Sequence, residues 1–156
     1  MARIIPNENT WVGFATTVAD VSAPTAANIT AAVDLTGFVI SLNASSRGNT
    51  VPTPSFASLF ETSTAGTSAA TFDADFYRDD TGDTAWTTLP RGTRGYFIVA
   101  RFGSDGAAPG VGDKVEVWPA MVTSRTMANM ASNTVLTFTA SCAVTEEPDE
   151  AATVAA

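Results

Sequence analysis

The sequence predicts an all-β domain with one or two short helices, and three observations carry that prediction. Thr and Ser supply most of the polarity, while Glu, Lys and Gln, the polar helix formers, are scarce; Lys114 is the single lysine in 156 residues. Two windows alternate strictly between apolar and polar residues, the period of a half-buried strand. The helical signals are confined to two short turns, too short to be stable without tertiary packing.

The elements follow in chain order. Residues 10–15 form a first candidate strand, and Thr25 after Pro24 starts a short helical turn through residues 26–32. A second strand covers residues 38–42. Residues 71–77 alternate, with Phe72, Ala74 and Phe76 on one face and Thr71, Asp73, Asp75 and Tyr77 on the other, which gives a dry face and an acidic one. Asp83 is placed to cap a turn over residues 84–89, which Pro90 ends. Residues 96–102 are apolar on both faces apart from Arg101, as expected of a strand covered on both sides. Residues 114–122 set Val115 and Val117 against Lys114, Glu116 and Trp118 until Pro119 interrupts, as on an edge or at a bulge. In residues 135–144, Leu136, Phe138, Ala140, Cys142 and Val144 share a face, so Cys142 reads as a small buried hydrophobe.

Two segments fall outside this pattern. Residues 43–68 hold Gly48, Pro52, Pro54, Gly66 and many Ser and Thr, with Phe56, Leu59 and Phe60 in the middle. A loop of that length is uncommon in a compact domain unless it serves a function. Two outcomes stay open: it folds back on its own domain, or it is an arm that docks on another subunit. Residues 146–156 carry Glu146, Glu147, Asp149 and Glu150 and read as a solvated acidic tail, expected to be flexible. The expected division is a β-domain over 1–145, including the 43–68 arm, and the tail over 146–156.

Composition excludes most catalytic and nucleic-acid-gripping chemistries. The absence of histidine removes His-based acid–base catalysis, Ser-His triads and Cys/His zinc sites. One cysteine permits no internal disulfide. A net charge of −8 argues against a protein that clamps phosphates. The N-terminus lacks the apolar core of a secretory signal, and no run reaches the 18 apolar residues expected of a membrane helix. The Asn-x-Ser/Thr triplets at Asn28 and Asn43 therefore read as chance matches.

The remaining motifs also fail as chemistry. Counting from Asp79, a calcium loop needs Gly and Glu where the chain has Thr84 and Pro90, so residues 79–83 read as a turn. Gly110-Val111-Gly112 lacks the third glycine and the helix of a dinucleotide fingerprint. Asp73 and Asp75, about 7 Å apart along a strand, match the spacing of an inverting glycosidase pair, but nothing else builds a sugar cleft. The expectation is no catalytic residue, no metal and no cofactor.

The order of these pieces resembles the major tail (tail tube) proteins of long-tailed phages, particularly those infecting actinobacteria. The resemblance rests on Met1-Ala2-Arg3-Ile4-Ile5-Pro6, Trp11-Val12-Gly13, Asp34-Leu35-Thr36-Gly37 and Val51-Pro52-Thr53-Pro54. It continues through Phe60-Glu61, Gly66-Thr67, Phe76-Tyr77-Arg78-Asp79-Asp80, Ala85-Trp86 and Leu89-Pro90-Arg91-Gly92-Thr93-Arg94-Gly95-Tyr96. Gly112-Asp113-Lys114-Val115-Glu116-Val117-Trp118-Pro119, Thr137-Phe138 and Ala143-Val144-Thr145-Glu146-Glu147-Pro148 complete it.

The resemblance implies a β-sandwich or half-barrel subunit, assembled as six-fold rings that stack into a tube and form one continuous barrel around a lumen. The implied partners are further copies of the chain, tape-measure protein and tail-tip or terminator proteins. Double-stranded DNA passes without specific binding, no membrane is entered, and the protein resides in the virion after assembly in the host cytoplasm. Asp73 and Asp75 become candidates for the lumen face, and Phe56, Leu59 and Phe60 for the contact between rings. Rival expectations are a ring-forming terminator or connector, a head-decoration protein, a monomeric β-sandwich binding glycans or cell surfaces and, more remotely, a carboxylate-dependent hydrolase.

Overall fold

The computed structural model describes residue 3 and residues 5–156; Met1, Ala2 and Ile4 of the opening motif lie outside the described residues. The elements run β1 (Trp11–Ala15), α1 (Ala26–Ala31), β2 (Val33–Asp34), β3 (Val39–Thr53), β4 (Thr62–Tyr77), α2 (Thr84–Thr88), β5 (Arg94–Ala100), β6 (Lys114–Met127), β7 (Thr137–Val144) and β8 (Asp149–Thr153). All the strand pairs are antiparallel, in one sheet ordered β2-β1-β5-β6-β7-β4-β3, with β8 added beside β6.

The sheet curls because β6 belongs to both of its halves. Its first part pairs with β5 and β8, its second with β7, and the register shifts at Val115/Val117 and at Val122/Ser124. Such bulges bend the strand that carries them. The curl brings Phe72 of β4 onto Phe97 of β5, ring centroids 4.3 Å apart, with Trp118 of β6 at 6.0 Å. The expected sandwich or half-barrel is thus one sheet folded over its own apolar face.

Inside the curl lies the main core, built from Val12, Phe14, Phe72, Phe76, Phe97, Val99, Trp118, Val122 and Phe138 and closed by Leu35 and Leu89. On the opposite side of β1, β5 and β6 a second core forms from Trp11, Ile98, Val115 and Val117. Ile29 of α1, with Ala152 and Val154, covers it. β5 is therefore buried on both faces, as its apolar run predicts, and ends at Ala100, leaving Phe102 exposed. α1 starts as expected at Thr25, whose hydroxyl accepts from the Asn28 N–H at 3.3 Å, while the Asn28 side chain accepts from the Thr25 N–H at 2.9 Å.

Four sequence expectations change. Asp83 precedes α2 but makes no side-chain cap to it; its carboxylate instead pairs with Arg78. Trp118, grouped by alternation with Lys114 and Glu116, is buried in the main core, its indole N–H donating to Glu116 Oε2 at 3.1 Å. Pro119 sits neither on an edge strand nor at a bulge. Its carbonyl accepts from Thr145 N–H at 3.0 Å, on the side where β7 has ended at Val144 and β8 begins at Asp149. A strand residue's N–H and C=O point the same way, so the missing donor falls where no ladder partner is needed. Finally, the acidic tail is partly structured: residues 149–153 are β8, and Val154 and Ala155 exchange backbone hydrogen bonds with Asp113, Pro24 and Ala26. Glu146 and Glu147 remain exposed.

Candidate functional site

The 43–68 segment is a ribbon. Most of it lies in the antiparallel β3–β4 hairpin, whose tip comprises residues 54–61. β7 supports β4 only from Thr71 to Tyr77, so the outer part of the hairpin is a two-stranded ribbon, and residues 45–69 are all exposed. A register shift between Gly48 and Thr50 lies at its root. At the tip, Phe56 and Leu59 are fully exposed and Phe60 is 76% exposed. Among the described residues nothing covers this apolar cluster.

Nearer the body, the second part of β6 with β7, β4 and β3 forms a four-stranded sheet with two unlike faces. Phe72, Ala74, Phe76, Phe138 and Ala140 point into the core. The opposite face presents Ser124 and Thr126 of β6, Thr139 and Ser141 of β7, Asp73 and Asp75 of β4, and Ser41 and Asn43 of β3. Asp73 and Asp75 share this face, as the alternation predicts, within a shallow concavity floored by hydroxyls.

Asp75 accepts from Thr139 Oγ1 and, at 2.7 Å, from Ser41 Oγ. Those two donors, Thr139 first, hold its carboxyl below the usual carboxylate range. A general acid requires the opposite shift, so Asp75 is held as a fixed negative charge. Behind it, Cys142 is half-buried, and its thiol is pushed up to about 12 by burial and secondarily by the Asp73 charge. It is protonated and inert as a nucleophile.

The Asp79–Asp83 turn is braced internally. Arg78 donates to Asp83, whose carboxyl that bond holds down, and the Asp79 N–H donates to the same carboxylate at 3.3 Å. Arg78 and Arg125 both lie over the Trp86 ring, at 4.2 and 3.6 Å from its centroid, and Arg125 Nη1 donates to the Trp86 carbonyl at 2.8 Å. Among the described residues no group of three or more acidic or thiol side chains could hold a metal ion.

Sequence reasoning missed a second set of exposed apolar residues. Ile40, Tyr77, Phe102, Met127, Met130 and Val135 are all exposed. Tyr77 and Met127 lie at the end of the sheet opposite the tip, where Val39 pairs with Phe76 and Phe76 with Phe138, while Ile40 and Phe102 line one groove. The available signal was the break in alternation at Val39-Ile40, which in the structure is a register shift that turns Ile40 outward.

The whole chain, residues 1–156, matches the family model described as phage tail tube protein. No curated protein matches. Among solved structures, the fold is similar to a chain in the tail of an empty gene transfer agent particle refined with C6 symmetry, with a TM-score of 0.60 at 13% identity over 94% of this chain and 98% of that one. A chain in the native gene transfer agent virion gives 0.57 at 13% identity over 95% and 98%. A chain in the six-fold symmetrised baseplate of the anti-feeding prophage gives 0.57 at 10% identity over 94% and 95%.

Proposed function

The chain belongs to the phage tail tube protein family, and from that premise we propose how its surfaces build the tube. Its role is structural. The observation that carries the proposal is the exposed 45–69 ribbon with its bare apolar tip. An isolated two-stranded ribbon is marginal in water, and an uncovered apolar tip invites association. Both are satisfied if the arm docks on another copy. Phe56, Leu59 and Phe60 are then the contact between stacked rings.

Lateral closure uses the two open edges of the four-stranded sheet. Among the described residues, the outer edge of β3 pairs with no strand, and residues 123–127 of β6 pair only with β7. Four alternating strands leave β3 antiparallel to β6, so β3 of one copy can extend the ladder of β6 in the next, whatever the number of copies. Closure removes the edges that would otherwise aggregate. We take six copies per ring, the symmetry of the gene transfer agent tail and of the anti-feeding prophage baseplate.

The face bearing Asp73 and Asp75 then lines the lumen. The carboxylates on this face repel phosphates, so double-stranded DNA slides past during ejection. The electrostatic cost to assembly is small, since two charges about 10 Å apart in water repel by about 0.4 kcal/mol, and salt screens it further. Tape-measure protein and tail-tip or terminator proteins are the expected neighbours in the virion, after assembly in the host cytoplasm. The subunit is neither an enzyme nor a carrier of a cofactor.

Imaging purified protein tests this. The native chain should form tubes of variable length, whereas a terminator, connector or decoration protein gives closed rings or none. The Phe60→Asp variant should keep the native circular dichroism spectrum and form no tubes. Normal-length tubes from that variant would exclude the tip as a stacking contact.

A further inference from the structure

The structure holds, on the same subunit, a groove suited to receive the tip. It lies where the curled sheet opens between the start of β1, the end of β5 and the start of β3, and has a volume of about 570 Å³. Its apolar lining includes Val12, Val39, Ile40, Leu42, Val99 and Phe102. Ile40 and Phe102 are 44% and 54% exposed, although they sit beside a core that could have covered them.

We propose that this groove is the acceptor for the Phe56/Leu59/Phe60 tip of the next copy along the tube. The inference rests on the stacked-ring reading above and adds the receiving surface to it.

Three arguments lead there. Donor and acceptor occupy opposite ends of one strand: Ile40 lies at the beginning of β3 and the tip just beyond its end. A 15-residue strand spans about 45 Å at ~3.3 Å per residue. A shift of one subunit along that direction therefore carries tip to groove, and the contact is head-to-tail and open-ended, the kind that makes filaments from one chain. Measured from Ile40 to the tip, the axial repeat it sets is at most about 55 Å at ~3.3 Å per residue.

The second argument is size. Two phenylalanines and a leucine remove on the order of 500 Å² from water on the donor side. A stable pair of proteins needs about 800 Å² per partner. One tip in one groove is therefore too small to hold a dimer, but a ring of such contacts engages together and gains by multivalency. The site fits ring-on-ring stacking and does not fit a two-chain complex.

The third is charge. Glu61 follows Phe60 on the tip, and Arg101 lines the groove with two of its guanidinium donors engaged by Glu116, leaving others of its five for an incoming carboxylate. Glu8 also lines the groove and is the like charge there.

A mixing experiment separates donor from acceptor. Phe60→Asp destroys the tip and leaves the groove; Ile40→Asp destroys the groove and leaves the tip, at a position exposed enough for a native melting curve to be retained. Each variant alone should yield no tubes. An equimolar mixture should yield short assemblies two layers deep, because an Ile40→Asp tip can enter a Phe60→Asp groove and neither product can be extended. Phe102→Asp should behave as Ile40→Asp does. Normal tubes from both Ile40→Asp and Phe102→Asp, with none from Phe60→Asp, would overturn the groove as acceptor while leaving the stacking tip intact. A native protein that never polymerises would overturn both readings.

Discussion

Gly95 has no room for a methyl group. A Cβ there would stand 2.4 Å from the Phe14 ring and 2.6 Å from the Ala15 carbonyl oxygen. The oxygen belongs to the paired strand and cannot swing away, so Gly95→Ala should cost about 1–3 kcal/mol, visible as a lowered melting temperature. Cys142 gives a second residue-scale test. With its thiol pushed up to about 12, it should resist a thiol reagent at pH 8 in the folded protein and react fully in denaturant. Asp75 gives a third. Its folded pKa lies below the unfolded one because Thr139 and Ser41 donate to the carboxylate. The stability it contributes is therefore present above about pH 4, the unfolded value, and is lost as pH falls through the folded value. Asp75→Asn should cost roughly 0.5–1 kcal/mol at neutral pH, and the two unfolding curves should converge in acid. The shared face of Asp73 and Asp75 was legible from the two-residue period alone. The bonds that depress Asp75 were not, since Ser41 and Thr139 come from flanking strands far away in sequence.

At the scale of elements, alternation found what one buried face dictates. It located the inner parts of β4 and β7 because Phe72, Phe76 and Phe138 are each forced to one side. It failed on the outer halves of β3 and β4, since a ribbon exposed on both faces has no periodic constraint, and a run of Thr, Ser and Gly looks the same as a loop. β8 escaped for a different reason. Its buried residue, Ala152, is small and stands among acids, so burial left little trace in hydropathy. Yet Ala152 and Val154 close the second core over Val115 and Val117. Ala152→Asp places an unpaired charge there and should cost about 3 kcal/mol or more, seen as unfolding at a much lower denaturant concentration. The brace around Trp86 was equally hidden, because Arg78 and Arg125 reach it from β4's end and from β6.

For the whole molecule, the decisive property is the separation of the two cores from the exposed arm. Every residue of both cores lies outside residues 45–69, and no residue of that span is buried. The sequence disclosed the two parts as a β-domain and an odd insert, but the groove was illegible because its wall draws on stretches around residues 6–12, 36–42 and 99–102 that only the curl of the sheet assembles. The acidity divides in the same way. Of the acids behind the −8 net charge, Asp73 and Asp75 lie on the polar sheet face, while Glu146 and Glu147 stand exposed ahead of β8, so the charge of that face depends on placement and not on the total. Replacing residues 49–67 by a two-residue Asn-Gly turn tests the separation directly. The turn type suits an antiparallel hairpin, the strands it joins remain paired at Gly48 and Ser68, and no core contact is lost. The shortened chain should melt within about 2 °C of the native subunit, a difference of about 0.5–1 kcal/mol for a domain this size, and should form no tubes at any salt concentration. A large fall in melting temperature would show that the arm is part of the subunit's own fold.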